Sequence, residues 1–322
     1  MIKLDSKTLK EVIAIRGVGH LDAATQLYLF RELEQLMPKT YDVLYPEYKA
    51  RYLFPIDRTV PPGAKAFTYF QYDRVGLAKV IANYAKDFPR ANVFKKTFTG
   101  YVKELGASYG YSEKDILSAQ MAGLPLEARE AFAAKQSILS RENQIAFSGD
   151  ADNNLGGFLS NANINTVILA ADGTGAARTF ASKTAAQIIR DIHSLATTIV
   201  TISKGVERPD TLLLPPTQYS LLAGLPYSTL LPITVLDWLN EHSTYFKGSI
   251  IEVPELTGAG TLGTDIMVAY KKDPMKLGLI VTQDFTQMPP QLEGMEWTIP
   301  CWSGTGGVVI FYPLSVAVAS GI

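Results

Sequence analysis

The chain has 322 residues, of which 47% are hydrophobic and 19% are charged, and this ordinary globular balance excludes disordered and collagen-like proteins. The single cysteine, Cys301, excludes an intrachain disulfide, so packing within the chain or assembly with other chains supplies the stability. The net charge is −1, but the charges are unevenly distributed. Residues 51–105 have ten basic and four acidic side chains, whereas residues 151–322 have nine basic and fourteen acidic ones. The basic residues are too dispersed for a domain that reads a nucleic-acid sequence.

Residues 1–50 predict one amphipathic helix. Asp22 is a suitable N-cap, Pro38 ends the helix, and an apolar stripe runs along it, formed by Leu27, Phe30, Leu33 and Met37. The first twelve residues carry charges every few positions and lack the apolar run of a secretory signal. The segment is either an arm that packs on another subunit or a helix within a self-contained core.

Residues 51–105 predict two long strands that run back and forth. Aromatic residues mark a first strand over residues 67–72, and a second strand over residues 93–102 has aromatic side chains on one face and mainly lysines and threonines on the other. Because a two-stranded hairpin is only marginally stable alone, this segment is expected to lie on another surface.

The strongest helical pattern runs from Leu124 to Gly149. Pro125 suits the first turn, and Gly149 suits a left-handed C-cap. Charged residues interrupt the apolar pattern at Lys135 and Glu142, so these two side chains are expected to pair with something. On periodicity alone the helix would also suit the core of an α/β enzyme. Its apolar side chains form two adjacent rows at heptad spacing: Ala131, Ile138 and Ile145, and Phe132, Leu139 and Ala146.

Short strands alternate with helices after the long helix. A strand is predicted over residues 165–171, and a second strong helix follows, capped by Ser182 or Thr184, with the i, i+3, i+4, i+7 apolar pattern over four turns. Further strands are predicted at residues 211–214, 249–253 and 264–271, and further helices at Pro216 and over residues 233–243.

The C-terminal residues 297–322 contain no charge, which raises the alternative of a membrane span. Pro300 and Pro313 interrupt the segment, so that no apolar run of about 18 residues remains. The sequence therefore predicts two buried strands around Pro313.

Few residues suggest chemistry. Residues 258–263 match GxGxxG, but a strand pattern rather than a helix follows them, so a nucleotide site is not expected. The histidines, His20, His193 and His242, have no metal-ligand spacing, and Cys301 has no cysteine or histidine near it in sequence. The sequence therefore predicts no catalytic residue, no cofactor and no metal, although it leaves a scattered catalytic triad open.

Several blocks of the sequence resemble one protein family. They are RELEQLMPKTYDVLYPE (residues 31–47), GASYGYSEKDILSAQ (residues 106–120), SILSRENQIAFSGD (residues 137–150), LGGFLSN (residues 155–161) and TLLLPPTQYSLL (residues 211–222). In these blocks the chain is similar to tailed-bacteriophage major capsid proteins with the Hong-Kong-97-type fold, and the resemblance extends across most of the chain.

The resemblance implies a mixed α+β fold with named parts. They are an N-terminal arm (residues 1–50), an extended two-strand loop (residues 51–105), a peripheral domain with the long helix as its spine (residues 106–162), an axial α/β domain (residues 163–273) and return strands of the peripheral domain (residues 274–322). The buried core of the spine helix is expected to contain Ala131, Phe132, Ile138, Leu139 and Ile145.

The charge distribution supports contacts between subunits independently of the resemblance. A basic extended loop laid over the acidic C-terminal half of a neighbour would make a complementary contact. The basic residues expected at this interface are Arg74, Lys79, Lys86, Arg90, Lys95 and Lys96.

The implied function is that of a capsid subunit rather than an enzyme. Copies of the chain would assemble as hexamers and pentamers into an icosahedral phage head that encloses double-stranded DNA. The implied partners are a portal and packaged DNA that is contacted non-specifically; no membrane is implied. Because the arm begins almost at Met1, either a separate scaffolding protein is implied or a precursor segment lies outside this sequence. The protein would reside in the virion after assembly in the cytoplasm of the host bacterium. Two alternatives remain, an encapsulin-type nanocompartment shell that packages a protein cargo and a soluble α/β enzyme.

Overall fold

Two β-sheets, a set of helices and a separate two-stranded ribbon form the part of the chain that the computed structural model describes. The described residues are 47–75, 92–112, 114–115, 117, 121, 126–175, 177–228, 232–294 and 296–322. The fold is mixed α+β, as the sequence predicts. The helix predicted within residues 1–50 and the loop residues Lys79, Lys86 and Arg90 lie outside the described residues.

The first sheet is built around its longest strand, β11 (Glu296–Ile310). The first part of β11 pairs antiparallel with β4 (Lys103–Ser112), and its second part pairs antiparallel with β9 (Leu277–Gln287). β1 (Ile56–Asp57) lies parallel to β9, and β10 (Gln291–Glu293) pairs with the start of β11. Segments that precede residue 126 and segments that follow residue 276 therefore share one sheet.

The long helix α2 (Leu126–Ser148) packs on β4, β11 and β9. Its end matches the sequence prediction, because Gly149 has a φ of 76° and its N–H donates to the carbonyl of Ile145 at 2.8 Å. Glycine adopts the left-handed conformation at little energetic cost, and this conformation closes the last helical turn. Ala134 and Ile138 in the first half of α2 pack with residues of the first sheet.

The second sheet has the strand order β5 (Asn165–Val167), β12 (Val316–Ser320), β8 (Ile266–Tyr270), β6 (Thr211–Leu214) and β7 (Ile250–Glu252). β5 runs parallel to β12 and β7 runs parallel to β6, whereas β8 is antiparallel to both of its neighbours. The predicted strands at residues 211–214, 249–253 and 264–271 are confirmed by β6, β7 and β8.

Three helices cover one face of the second sheet. α3 (Ala185–Ile202) begins after Thr184, whose backbone N–H donates to the side-chain oxygen of Gln187 at 2.8 Å. α4 (Pro216–Gly224) and α5 (Val235–His242) complete this layer. These helices are the ones that apolar periodicity and proline placement predict.

Alternation along the strands buries both faces of the second sheet. Leu212 and Leu214 of β6 pack with the helices, whereas Leu213 between them packs on the opposite side. That opposite side also contacts the end of α2, at Ala146 and Phe147, and buried residues of β9 and β11. One continuous core therefore joins the two sheets.

At three places the structure contains elements or strand pairings that the sequence does not predict. Residues 106–112, expected to lead into the long helix, belong to β4. Their two glycines weaken the strand pattern in the sequence, and the strand forms because β11 pairs with β4 along its whole length. The short helix α1 (Ala50–Leu53) begins at the last residue assigned to the arm, and the rest of α1 and β1 lie in the sequence assigned to the extended loop. Leu53 and Phe54 are nevertheless buried in the shared core. β12, assigned to the return strands of the peripheral domain, pairs with β5 and β8 in the second sheet.

The ribbon consists of β2 (Ala66–Val75) and β3 (Asn92–Tyr101), which form a separate antiparallel sheet. This confirms the two strands predicted from the aromatic pattern. β3 is followed after Val102 by β4, so the ribbon leaves the body directly from a strand of the first sheet. The protruding part is therefore shorter than the predicted loop of residues 51–105.

Candidate functional site

The residues considered as candidates for chemistry have structural roles instead. Cys301 is buried in β11, and burial raises the pKa of its thiol, which opposes formation of a nucleophilic thiolate. The GxGxxG segment leads into β8 rather than into a helix, as predicted, and the N–H of Gly258 donates to Asp265 Oδ1 at 3.0 Å. One backbone N–H that a phosphate would need is thus already used.

His193 and His242 belong to an aromatic cluster. The ring of His242 stacks on Trp238 with centroids 5.8 Å apart, and His193 lies 6.3 Å from the same indole. Burial lowers the pKa of His193, which favours its neutral form. Within the described residues no group of three or more His, Cys, Asp or Glu side chains could hold a metal ion.

A buried lysine, Lys183, is also fully engaged. Its ammonium group donates to Asp191 Oδ2 at 2.5 Å and to the carbonyl of Ala170 at 2.8 Å. Arg190 binds Asp172 and Asp191 next to it, and the hydrogen bond from Arg190 lowers the pKa of Asp172. The cluster fastens the start of α3 to the preceding loop rather than activating a nucleophile.

A bidentate ion pair fastens α1 to α2. Arg51 donates from Nε to Glu142 Oε1 at 2.8 Å and from Nη2 to Glu142 Oε2 at 2.7 Å, and its Nη1 donates to Asp284 of β9 at 2.8 Å. These hydrogen bonds, first of all those to Glu142, raise the pKa of Arg51. The carbonyl oxygen of the Asn143 side chain accepts from the N–H of Ala50 at 3.0 Å and so holds the same junction.

This ion pair explains why Glu142 interrupts the apolar pattern of α2. Glu142 is buried and paired, as its position between apolar rows suggests, whereas Lys135 is exposed. Sequence reasoning missed Arg51 and Asp284 as partners. No local signal could have found them, because Arg51 lies 91 residues from Glu142 in the sequence.

The residues expected in the buried core of α2 differ in their exposure to solvent. Ile138 and Ile145 are buried, and Ala131 and Leu139 are half-buried. Phe132 differs from the expectation, because 66% of its side chain is exposed in the subunit. The buried stripe of α2 instead includes Ala134, because the sheet beneath the helix covers a narrower arc than two full rows.

The ribbon exposes large apolar side chains along most of its length. The exposed fractions are 49% for Phe70, 60% for Tyr72, 63% for Val93 and 58% for Phe94. Exposed apolar surface of this kind marks contact sites between proteins. Along this stretch the ribbon is two strands wide, and the rest of the described chain leaves these side chains exposed.

The structure describes three of the six basic residues that are predicted at the interface. Lys95 and Lys96 are exposed on β3, and the ammonium group of Lys95 lies 3.4 Å from the centre of the Phe70 ring. Arg74 lies in β2, and the remaining three predicted cations are outside the described residues. Lys95 therefore lies against an exposed aromatic residue of the ribbon.

Comparisons with known proteins point to a shell-forming family. A family model described as major capsid protein matches residues 76–322, whereas no curated protein sequence matches the chain. The capsid of Myoviridae phage XM1 is 14% identical, with a TM-score of 0.77, over 95% of this chain and 100% of that chain.

Two further solved structures share the fold. The capsid of a native GTA particle is 10% identical, with a TM-score of 0.64, over 89% of this chain and 94% of that chain. A virus-like particle from Pyrococcus furiosus is 16% identical, with a TM-score of 0.51, over 83% and 90%. At such low identity these likenesses show the fold alone. In the described part of the chain no helix is long and apolar enough to cross a membrane.

Proposed function

Because the chain belongs to the major capsid protein family, we propose that its copies assemble as hexamers and pentamers into an icosahedral phage head that encloses double-stranded DNA. This family is one of structural proteins rather than of enzymes. The observation that carries the proposal is the ribbon, whose aromatic and aliphatic side chains remain exposed within the subunit. A neighbouring copy would bury them in every repeated contact of the shell.

We assign the parts of the Hong-Kong-97-type fold as follows. Residues 1–50 form the arm, the ribbon is the projecting part of the extended loop, and residues 106–162 with 274–310 form the peripheral domain around α2. Residues 163–273 form the axial domain, to which β12 is added because it pairs with β5 and β8. The continuous core between the two sheets supports domains that move little against each other.

The remaining partners follow from the role of a head subunit. A separate scaffolding protein and a portal would guide assembly, and the inner wall would contact DNA without reading its sequence. The net charge of −1 supports such weak DNA contact, because strong non-specific binding needs many cations. The protein would assemble in the cytoplasm of the host bacterium and remain in the virion.

A nanocompartment shell is the less favoured alternative. The matching family model describes major capsid proteins, which favours the phage head. The kind of cargo found in purified particles, DNA or a protein, separates the two functions.

Reversing the charge of the extended loop is expected to impair assembly but not folding. In a triple variant, Lys86→Glu, Arg90→Glu and Lys96→Glu, like charges would face the acidic surface of each neighbour. Raising the salt from 0.1 to 1 M should partly restore assembly, because the Debye length shrinks from ~10 Å to ~3 Å. Sedimentation of the wild type and the variant across this range measures the effect.

A control with the same net charge distinguishes a local contact from general repulsion. Lys135, Lys204 and Lys247 are exposed outside the ribbon, and their reversal to glutamate changes the total charge equally. Assembly should be lost at low salt in the loop variant but retained in the control. If both variants assemble as the wild type does, the loop cations do not form the interface.

A further inference from the structure

The root of the ribbon holds one aromatic ring between two glycines. Phe67 of β2 lies opposite Gly100 of β3, and a Cβ atom placed on Gly100 would come within 2.2 Å of the Phe67 ring. On the body, a Cβ atom placed on Gly306 of β11 would lie 3.2 Å from the same ring and 3.0 Å from Ile280. The ring therefore fills a slot that closes if either glycine gains a side chain.

A second aromatic contact lies on the same ribbon face. Tyr69 stacks on Phe98 across the ribbon with ring centroids 5.2 Å apart, and it meets Phe311 of the body edge-on at 5.0 Å. Phe67 and Tyr69 are two positions apart along β2, so both side chains point to the same side of the ribbon. Together they attach that side of the ribbon root to the body.

A backbone hydrogen bond also lies where the ribbon meets the body. The N–H of Val102 donates to the carbonyl of Lys65 at 3.0 Å, where β3 passes into β4. A cavity of about 290 Å³ adjoins Phe67 and is lined by Tyr101, Asn154 and Ser160. This space gives the root room to shift if the Phe67 contact is lost.

We propose that Phe67, seated in the slot between Gly100 and Gly306, is the positioning residue that sets the direction of the ribbon toward a second copy of this chain. This inference rests on the proposed function and adds the device that presents the ribbon for assembly. A ribbon held in one direction loses less conformational freedom when it meets a neighbour. Release of Phe67 would leave the ribbon intact but let it turn about Val102.

The test closes the slot without removing the ring. Gly100→Ala places a methyl group where the Phe67 ring lies, and Gly106→Ala in β4 is the matched control, because its Cβ atom would have only an ordinary contact at 3.9 Å. Spin labels on Lys96→Cys and Lys135→Cys report the distance between ribbon and α2 in unassembled subunits. Cys301 is buried and does not compete for the label.

The wild type and Gly106→Ala should give one narrow distance, and Gly100→Ala should give a broad or second distance. In Phe67→Ala the distance should also be broad, and adding Gly100→Ala to it should change nothing further, since the ring is already gone. If Gly100→Ala fails to fold, Phe67→Leu, which keeps an apolar side chain, replaces it in the distance measurement. A narrow distance in both Gly100→Ala and Phe67→Ala would overturn the proposal.

The same variants separate this inference from the proposed function. The distance measurement needs no shell, so a narrow wild-type distance without shell formation would contradict only the proposed function. Shells formed by a wild type whose ribbon shows a broad distance would contradict only the inference. If both hold, electron microscopy of Gly100→Ala should show fewer closed particles than that of Gly106→Ala.

Discussion

Ile138→Asp is expected to prevent the subunit from folding. Ile138 is 2% exposed and packs with Ala134, Ile299 and Cys301 between α2 and the first sheet. An unpaired carboxylate there costs several kcal/mol, a large part of the ~5–15 kcal/mol that stabilises a typical domain. The buried Glu142, four residues further along the helix, adds a second negative charge nearby.

Ser137→Asp provides the matched control, because it introduces the same side chain at the adjacent, exposed position of α2. Its effect on the free energy of unfolding should stay within about 0.5–1 kcal/mol. Soluble yield and thermal unfolding of the two variants give the comparison. Equal tolerance of both substitutions would show that this face of α2 is not buried in the folded protein.

Arg51→Ala is expected to destabilise the subunit by about 3–5 kcal/mol, because it leaves the buried carboxylate of Glu142 without its cation. Arg58→Ala is the matched control. Arg58 binds Asp284 at 2.7 Å, but its side chain is 62% exposed, so the loss should be no more than about 1 kcal/mol. Denaturant unfolding of both variants measures the difference.

A double variant tests whether the stability lost in Arg51→Ala comes from the unpaired carboxylate or from the shape of the arginine side chain. Arg51→Met with Glu142→Leu removes both charges and keeps apolar volume, so most of the lost stability should return. If the double variant is as unstable as Arg51→Ala, the contribution of this site comes from the shape of the arginine side chain or its bond to Asp284. Recovery would assign the cost to the unpaired carboxylate.

The elements that were predicted correctly are those whose pattern reflects a local surface. α3 presents an apolar stripe to a single sheet, and β6 is a short apolar run stopped by Pro215, so periodicity and turn residues suffice. The ribbon was predicted because aromatic residues recur along both of its strands. In each of these cases one segment of sequence contains the whole signal.

The elements that were missed depend on distant partners. β4 contains Gly106 and Gly110 and becomes a strand because β11 pairs with it. The place of β12 in the second sheet depends on β5 and β8, and a Val and Ala alternation fits either sheet. The contact of Phe67 with Gly306 joins residues far apart in sequence, so no spacing rule could reveal it.

The exposure of Phe132 has a similar origin. A helical pattern shows which residues are apolar, but the width of the buried stripe depends on the partner surface, which the helix sequence does not contain. An apolar residue at the margin of the stripe is therefore either core or contact surface. In an assembling subunit, a neighbouring copy can cover such a residue.

Electron microscopy of the purified chain tests the assembly function most directly. The ribbon and the family relationship predict closed shells built from hexamers and pentamers at micromolar concentration. A compact monomer at that concentration, with the ribbon protected from protease, would contradict assembly, because its exposed apolar side chains would then have found cover within one subunit.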